Sequence, residues 1–400
     1  PRASAGRSPD CGCARDEGES RPRMNLDPDE LSIDPRIEHA ATLPGVAYTD
    51  SVYWQRQLSG VWPRAWLFRS APSARVEPWS PLPGVLREPL LWIEDGELRC
   101  LSNVCTHRGA LLVTRAGDLQ SLRCPYHGRR FGLGGRCQHM PEFEGVVGFP
   151  GESDHLRSYP VRRLGPLVGT CLSEAPLVDL DAGLGWLARR LGSVYRSMLE
   201  AFESRRARLC FERRYELRAN WALYCDNYLE GFHIPFVHPA LNQALDFDSY
   251  RTELFEAGSL QIGFADARQP DAACFALQPD DPDHGHSAGR VAGYYVQLFP
   301  GLMLNFYPWG LSVNLVEPSG PESSVVHYLV HVWDDSRFGV GAGADLHRVE
   351  LEDEAIVEQV QRGVRSSAYS RGRFSPKRER GVHHFQRWLL SAMQGKEFGG

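Results

Sequence analysis

Two cysteine-histidine pairs, Cys105-Thr106-His107 and Cys124-Pro125-Tyr126-His127, stand sixteen residues apart in a chain of 400. Each pair offers one soft thiolate and one imidazole nitrogen, donors that suit a transition metal or an iron-sulfur cluster. Exchanging two of the four thiolates of a 2Fe-2S cluster for neutral imidazoles removes negative charge and raises the reduction potential. In that arrangement each loop gives its sulfur to one iron and its nitrogen to the other. Gly109 and Gly128 supply the small residues that tight ligand loops require, and Pro125 stiffens the second loop. A tetrahedral zinc ion would accept the same donors, but zinc sites usually pair like with like, in Cys-x2-Cys and His-x3-His runs. The mixed pairs favour a cluster that carries electrons.

A second constellation lies in Asn220-Trp-Ala-Leu-Tyr-Cys-Asp-Asn-Tyr-Leu-Glu-Gly-Phe-His-Ile-Pro-Phe-Val-His-Pro239. At roughly 100° per residue, Asp226, Glu230 and His233 would share one face of a helix spanning about 219–232. Glu230 and His233 are spaced to touch. Two histidines five apart diverge on an unbroken helix, so Pro235 is expected to end or bend it and swing His238 back. A third donor is Asp353, flanked on its own helical stripe by Val349, Ile356 and Val357, with Leu346 and Val360 a turn further. A carboxylate on such a stripe is costly to bury without a partner. Glu352 is the alternative donor. Two histidines and one carboxylate form the facial triad of a mononuclear iron site with open positions for dioxygen. Taken singly, each of these residues would read as a solvated charge or a core histidine. His39, His139, His155, His284, His286, His327, His331, His347, His383 and His384 fit neither ligand pattern and read as surface or structural residues.

These residues need two kinds of scaffold. From 63 to about 176 short strands such as Trp66-Leu-Phe68, Leu90-Leu-Trp-Ile93 and Leu98-Arg-Cys-Leu101 alternate with Pro and Gly turns. Apolar positions recurring at three and four from Leu184 to about Arg206 predict one amphipathic connecting helix. Beyond it, strands at 292–299 and 325–332 and a helix near 345–366 predict an α+β sheet covered by helices. Gln278-Pro-Asp-Asp-Pro-Asp-His-Gly-His286 reads as an exposed acidic loop. The expected organisation is a leader (1–23), an N-terminal segment (24–62), a β-rich cluster domain (63–176) and a mononuclear iron domain (177–400).

A hydrophobic content of 42% over this length suffices for two cores. The net charge of -6 gives no basic footprint for nucleic acid. No apolar run approaches the ~18 residues that span a membrane, and no apolar signal region opens the chain. A soluble, cytoplasmic protein is expected. Cys100, Cys137, Cys171, Cys210, Cys225 and Cys274 read as ordinary thiols, mostly buried. Residues 1–23, with Cys11 and Cys13, read as a disordered leader or as translation from a start upstream of Met24.

From about residue 35 onward the chain resembles the Rieske non-heme iron oxygenases, that is, the ring-hydroxylating oxygenase alpha subunits and their monooxygenase relatives. The two ligand pairs, the Asn220–Pro239 segment and Leu351-Glu-Asp-Glu-Ala-Ile-Val-Glu-Gln-Val-Gln-Arg-Gly363 carry the likeness. The resemblance implies a Rieske domain joined to a helix-grip catalytic domain, with the 2Fe-2S cluster on Cys105, His107, Cys124 and His127. It implies mononuclear Fe(II) on His233, His238 and Asp353, with Asp226 and Asn227 orienting the ligands. It further implies a head-to-tail homotrimer in which Glu230 links the iron to the next subunit's cluster. An NAD(P)H-dependent reductase, directly or through a ferredoxin, would deliver the electrons with which dioxygen hydroxylates or demethylates a small organic substrate. An aromatic ring dioxygenase and a Rieske electron-transfer protein are the alternative readings.

The chain also departs from the family. Arg129-Arg130 stand where most relatives carry Trp, which bears on the electron-donor docking surface. Glu230 replaces the Asp of many dioxygenases and looks like the trimeric choline monooxygenase and carnitine oxygenase branch, whose substrates are quaternary ammonium compounds. Leu304-Asn-Phe-Tyr-Pro-Trp-Gly310 resembles the same branch, but Leu311-Ser312-Val313 after it holds no acid to balance a cation. Tyr294, Tyr295, Phe299, Phe306, Tyr307 and Trp309 are the aromatics from which a cation cage would be drawn.

Overall fold

The computed structural model describes residues 27–268, 272–285 and 290–398. Cys11, Cys13 and His286 lie outside them. The C-terminal half is built on a seven-stranded antiparallel sheet in the spatial order 208–217, 323–332, 310–320, 302–307, 291–298, 258–264 and 251–255. Every residue of the strands Gly258–Phe264 and Leu302–Tyr307 is buried, because the sheet is covered on both faces and their sequences are almost continuously apolar. The helices Trp221–Tyr228, Leu346–Val364 and Arg380–Met393 pack over this scaffold. Asn220 caps the first of them by accepting the Ala222 N–H at 3.0 Å, and Asp345 caps the long helix at the Arg348 N–H. The helix Ser51–Gly60 lies against Arg380–Met393, and its Gln57 accepts the Trp221 indole N–H at 2.9 Å.

The N-terminal half holds smaller antiparallel sheets. One joins Val76–Trp79, Leu90–Glu94, Leu98–Ser102 and Ser158–Tyr159, and another joins Leu122–Arg123, Arg130–Phe131 and Cys137–His139. Val76, Leu91, Ile93, Leu101, Leu122 and Phe131 form a core with Cys105 and Cys124 at its edge. The loops after those cysteines are built alike. The Gly109 N–H returns to the Cys105 carbonyl at 3.0 Å, and the Gly128 N–H to the Cys124 carbonyl at 3.1 Å. Both glycines have φ near the left-handed well, +75° and +77°, which a side chain would strain.

The mixture of antiparallel sheets and covering helices is the expected α+β class, but three local expectations are corrected. The predicted helix over 184–206 is two helices, Leu180–Leu191 and Ser193–Glu203, broken at Gly192 with φ +53°. A Cβ there would stand 2.3 Å from the Asp281 carboxylate, which receives the Ser193 N–H at 2.7 Å. Asp281 therefore points inward, as does Asp283, which meets Arg190 at 2.8 Å and the Tyr294 hydroxyl at 2.9 Å. The acidic segment is thus exposed at 278–280, Pro282, His284 and Gly285, as expected, but Asp281 and Asp283 form a buried brace that the expectation missed. The third correction is the helix expected over 219–232, which stops at Tyr228.

Among the described residues, the six cysteines outside the ligand pairs are free thiols, four of them buried. His383 and His384 point Nε2 at the carbonyls of Asp34 and Phe255, at 2.8 and 2.9 Å.

Candidate functional site

The paired loops bring the imidazoles of His107 and His127 together with their Nδ1 atoms 3.2 Å apart, and the thiols of Cys105 and Cys124 beside each other. Sulfurs face the core while the imidazoles are half-buried at the surface. Sulfur is thus paired with sulfur and nitrogen with nitrogen. Among the described residues, the group of three or more donors within 4.8 Å of one another lies elsewhere. The two like pairs fit a two-iron cluster, with nitrogen on the outer iron. Burial, followed by the neighbouring His127 and Arg129, lowers the His107 pKa, in the direction of the neutral ring that a ligand must offer.

Arg129 does not reach the surface. It is 2% exposed, lies between the rings of Phe143 and Phe149 at 5.3 and 5.2 Å, and donates to Thr106 Oγ1 at 2.8 Å and Asp154 at 3.2 Å. It ties the loop between Cys105 and His107 to the segment around Asp154, while the adjacent Arg130 is exposed.

In the catalytic half, His233, His238 and Asp353 place one donor atom each within 4.8 Å of one another. Asp353 Oδ1 lies 3.4 Å from His233 Nε2 and 3.0 Å from His238 Nε2. The far nitrogens meet carboxylates: His233 Nδ1 reaches Glu230 at 2.7 Å and His238 Nδ1 reaches Glu352 at 2.8 Å. A carboxylate at Nδ1 holds the proton there and leaves Nε2 free to ligate. Glu352 therefore stands behind His238 and not at the donor cluster. Asn227 donates to Asp353 Oδ1 at 2.6 Å, an orienting contact of the kind expected of it.

The backbone that delivers these groups differs from the continuous helix expected. Glu230 and His233 lie beyond the helix end, and the Glu230 carboxylate accepts the Phe232 and His233 N–H groups that open the short turn Ile234–Val237. Pro235 sits in the first turn of that element and starts it, while Pro239 opens the next helix, Pro239–Ala244. His238 is the junction, with φ -118° and ψ 74°, which turns its ring to within 5.1 Å of the His233 ring. Gly231 is required here because a Cβ would lie 2.8 Å from the Tyr250 ring.

Asp226 is corrected outright. It points away from the histidines and accepts from the Tyr48 hydroxyl at 2.7 Å and Gln386 at 2.9 Å. Burial pushes its pKa up to about 7 against those two hydrogen bonds.

Charge at the triad is unbalanced in favour of anions. Burial would raise the Asp353 pKa, but hydrogen bonds from His233 and His238 hold it at about 2. Burial would lower that of His233, but Asp353 and Glu230 push it up to about 10, and His238 is raised in the same way by Asp353 and Glu352. Three carboxylates around two imidazoles call for added positive charge, which protons or a divalent cation would supply. Iron(II) fits that donor set.

A cavity of about 100 Å³ opens on the triad. Tyr224, Tyr228, Tyr250, Tyr295, Tyr307 and Tyr328 line it. Of the six aromatics drawn from the sequence, Tyr295 and Tyr307 alone are in the wall. Trp309 stacks behind Tyr307 at 4.9 Å and 8°, Tyr294 belongs to the Asp283 brace, and Phe299 packs on Phe385 and Trp388. Phe306 is fully buried and does not line the cavity. The tyrosines missed come from segments with ordinary core patterning. Glu350, also missed, joins the wall, its pKa raised to about 8 by burial. The stripe expected around Asp353 is rotated accordingly: Glu350 and Gln361 are buried and Val360 is exposed.

Residues 85–160 match the Rieske [2Fe-2S] domain, and residues 205–395 match the ring hydroxylating alpha subunit (catalytic domain). The chain belongs to the Rieske non-heme iron oxygenases of the ring-hydroxylating alpha-subunit type and is an oxidoreductase. It is similar to the choline monooxygenase of Beta vulgaris, 27% identical over 374 residues, 90% of this chain and 80% of that one. The Arabidopsis thaliana choline monooxygenase is 29% identical over 88% of this chain and 83% of its own. The carnitine monooxygenase oxygenase subunit of Escherichia coli (strain K12) is 26% identical, covering 89% and 95%. The fold is shared with a quaternary ammonium Rieske monooxygenase, at a TM-score of 0.70 and 22% identity, over 91% of this chain and 100% of the other. It is shared also with naphthalene 1,2-dioxygenase from Rhodococcus sp., at 0.67 and 16%, covering 89% and 95%. Among the described residues no helix is long and apolar enough to cross a membrane.

Proposed function

We propose that this protein is a Rieske monooxygenase for a quaternary ammonium compound. His233, His238 and Asp353 hold iron, and Cys105, His107, Cys124 and His127 hold the cluster. The observation that carries the reading is the tyrosine-walled cavity opening on the triad, since aromatic faces attract a cation that carries no N–H donor. The similarity to choline and carnitine monooxygenases supports the same substrate class.

When bound, the cluster supplies single electrons and the ferrous ion supplies dioxygen activation. Glu230 and Glu352 keep the Nδ1 protons of His233 and His238 in place, so both imidazoles present Nε2 to the metal. Asn227 fixes Asp353 in one rotamer. The tyrosine wall excludes water and holds the substrate's methyl groups toward the triad, where hydroxylation of a carbon beside the nitrogen or the hydroxyl leads to oxidation or demethylation. Electrons come from an NAD(P)H-dependent reductase, directly or through a ferredoxin. The protein works in the cytoplasm as a head-to-tail homotrimer, a closed ring of heterologous contacts in which Glu230 links the iron of one subunit to the cluster of the next.

Purified protein is assayed for iron and inorganic sulfide, and the dithionite-reduced form for the cluster's paramagnetic resonance. Pre-reduced protein is then given choline, carnitine, betaines and neutral aromatic compounds while oxygen uptake and product mass are followed. The proposal expects sulfide, iron beyond that of the cluster, and uptake triggered by quaternary ammonium compounds. Zinc at Cys105 and His107, or uptake triggered by neutral aromatics alone, refutes it.

A further inference from the structure

Glu350 lies one turn before Asp353 on the helix Leu346–Val364, 4% exposed, in the wall of the cavity. One carboxylate oxygen accepts from the Tyr224 hydroxyl at 2.5 Å and the other from Asn314 Nδ2 at 3.1 Å. Asn314 also donates to the Tyr224 oxygen at 2.8 Å, so a closed network fixes the group in place. Its partners are neutral, and among the described residues no cation forms an ion pair with it. A buried carboxylate served by neutral donors alone is costly to hold ionised, and the cost is relieved by a positive charge brought from outside. The other acids of the cavity wall are committed: Glu230 to His233, and Asp353 to both histidines. The strand after Trp309 offers no acid at all, since it reads Leu311-Ser312-Val313.

We propose that Glu350 is the specificity-determining counter-ion for the cationic head of the substrate, a role that rests on the quaternary ammonium reading. The tyrosine faces recognise a methylated ammonium by shape and quadrupole, and Glu350 supplies the negative charge, releasing its proton to solvent as the cation enters. A neutral molecule of the same outline fills the same space but gives Glu350 no cation to face. Selection between them is therefore electrostatic.

The test is calorimetric binding of choline and of its uncharged tert-butyl analogue to the iron-loaded protein. Glu350→Gln keeps the side-chain length and removes the charge. Glu350→Met, an apolar replacement of similar length, serves the same purpose where the amide variant does not fold, since Asn314 still donates to the Tyr224 oxygen. Circular dichroism and cluster absorption verify the fold. The wild type should favour choline over the analogue by about tenfold or more, and the neutral variants should lose most of that ratio. Glu350→Asp, which retains the charge, should keep part of it. A wild type that binds both alike, or neither, overturns the counter-ion and the quaternary ammonium reading together. A wild type that prefers choline, with the same ratio in Glu350→Gln or Glu350→Met, overturns the counter-ion alone.

Discussion

Replacing Asp226 by Asn separates a structural carboxyl from a catalytic one. In the folded protein one Asp226 oxygen accepts from Tyr48 and Gln386, and the other is buried without a partner. Burial raises its pKa from 3.8 to about 7. The folded state therefore holds this proton more tightly than the unfolded chain does. Stability from this group is greatest below the unfolded value and is lost as pH rises from about 4 through 7. Each tenfold gain in proton affinity is worth about 1.4 kcal/mol, so about 4 kcal/mol is at stake, of which roughly 2.5 falls between pH 5 and pH 8. Asn keeps the shape and never ionises. Thermal unfolding of both proteins across this range should show the variant gaining on the wild type with pH, by about 5–10 °C at pH 8 relative to pH 5 for a domain of this size. Other titrating groups, Glu350 and Glu354 among them, are common to both proteins and cancel in the difference. Product formed per bound iron should stay near the wild-type value. A difference that does not change with pH, or loss of iron from Asp226→Asn, refutes the reasoning and returns Asp226 to the metal site.

Asp353→Ala should lose the mononuclear iron and spare the cluster, read by metal analysis beside the cluster's absorption. Glu352→Gln and Glu230→Gln each weaken one Nδ1 contact of 2.8 or 2.7 Å and should cost about 10–100-fold in iron affinity or turnover. Under the proposed trimer, in which Glu230 links the iron to the next subunit's cluster, the loss of turnover per bound iron should be much deeper for Glu230→Gln; equal losses would show that Glu230 only orients His233. Arg129→Leu leaves Oδ1 of the half-buried Asp154 and the Thr106 oxygen without their donor and should lower the stability of the cluster domain by about 2–3 kcal/mol. Earlier bleaching of the cluster on heating would report it, and an unchanged bleaching temperature would exclude the brace.

The sequence alone determined what is settled within a few residues. Cys-x-His and Cys-x2-His place unlike donors in one tight loop, and the glycines that follow permit the turn, so the candidate cluster ligands were legible without any knowledge of packing. Glu230 and His233 touch across a single turn, and Asp353 lies on a long amphipathic helix, so the triad was legible too, although the helix drawn through the first pair was not. Tertiary structure decided everything that depends on partners far along the chain. Asp226 shares helical phase with Glu230 in the sequence, but the helix ends at Tyr228, and Tyr48 and Gln386 claim its carboxyl. Glu352 and Asp353 are adjacent, and only the position of His238, 114 residues away, assigns one to Nδ1 and the other to Nε2. Trp309 gave way to Tyr228, Tyr250 and Tyr328 as cavity wall because a helix end, the residue before a strand and a strand interior, far apart in the chain, converge on the triad only once it is folded. Glu350 looked like one more charge on a helix of charges. The packing of that helix beside Tyr224 and Asn314 buries it, because local pattern fixes a residue's neighbours within a turn and only the folded chain fixes which face meets water.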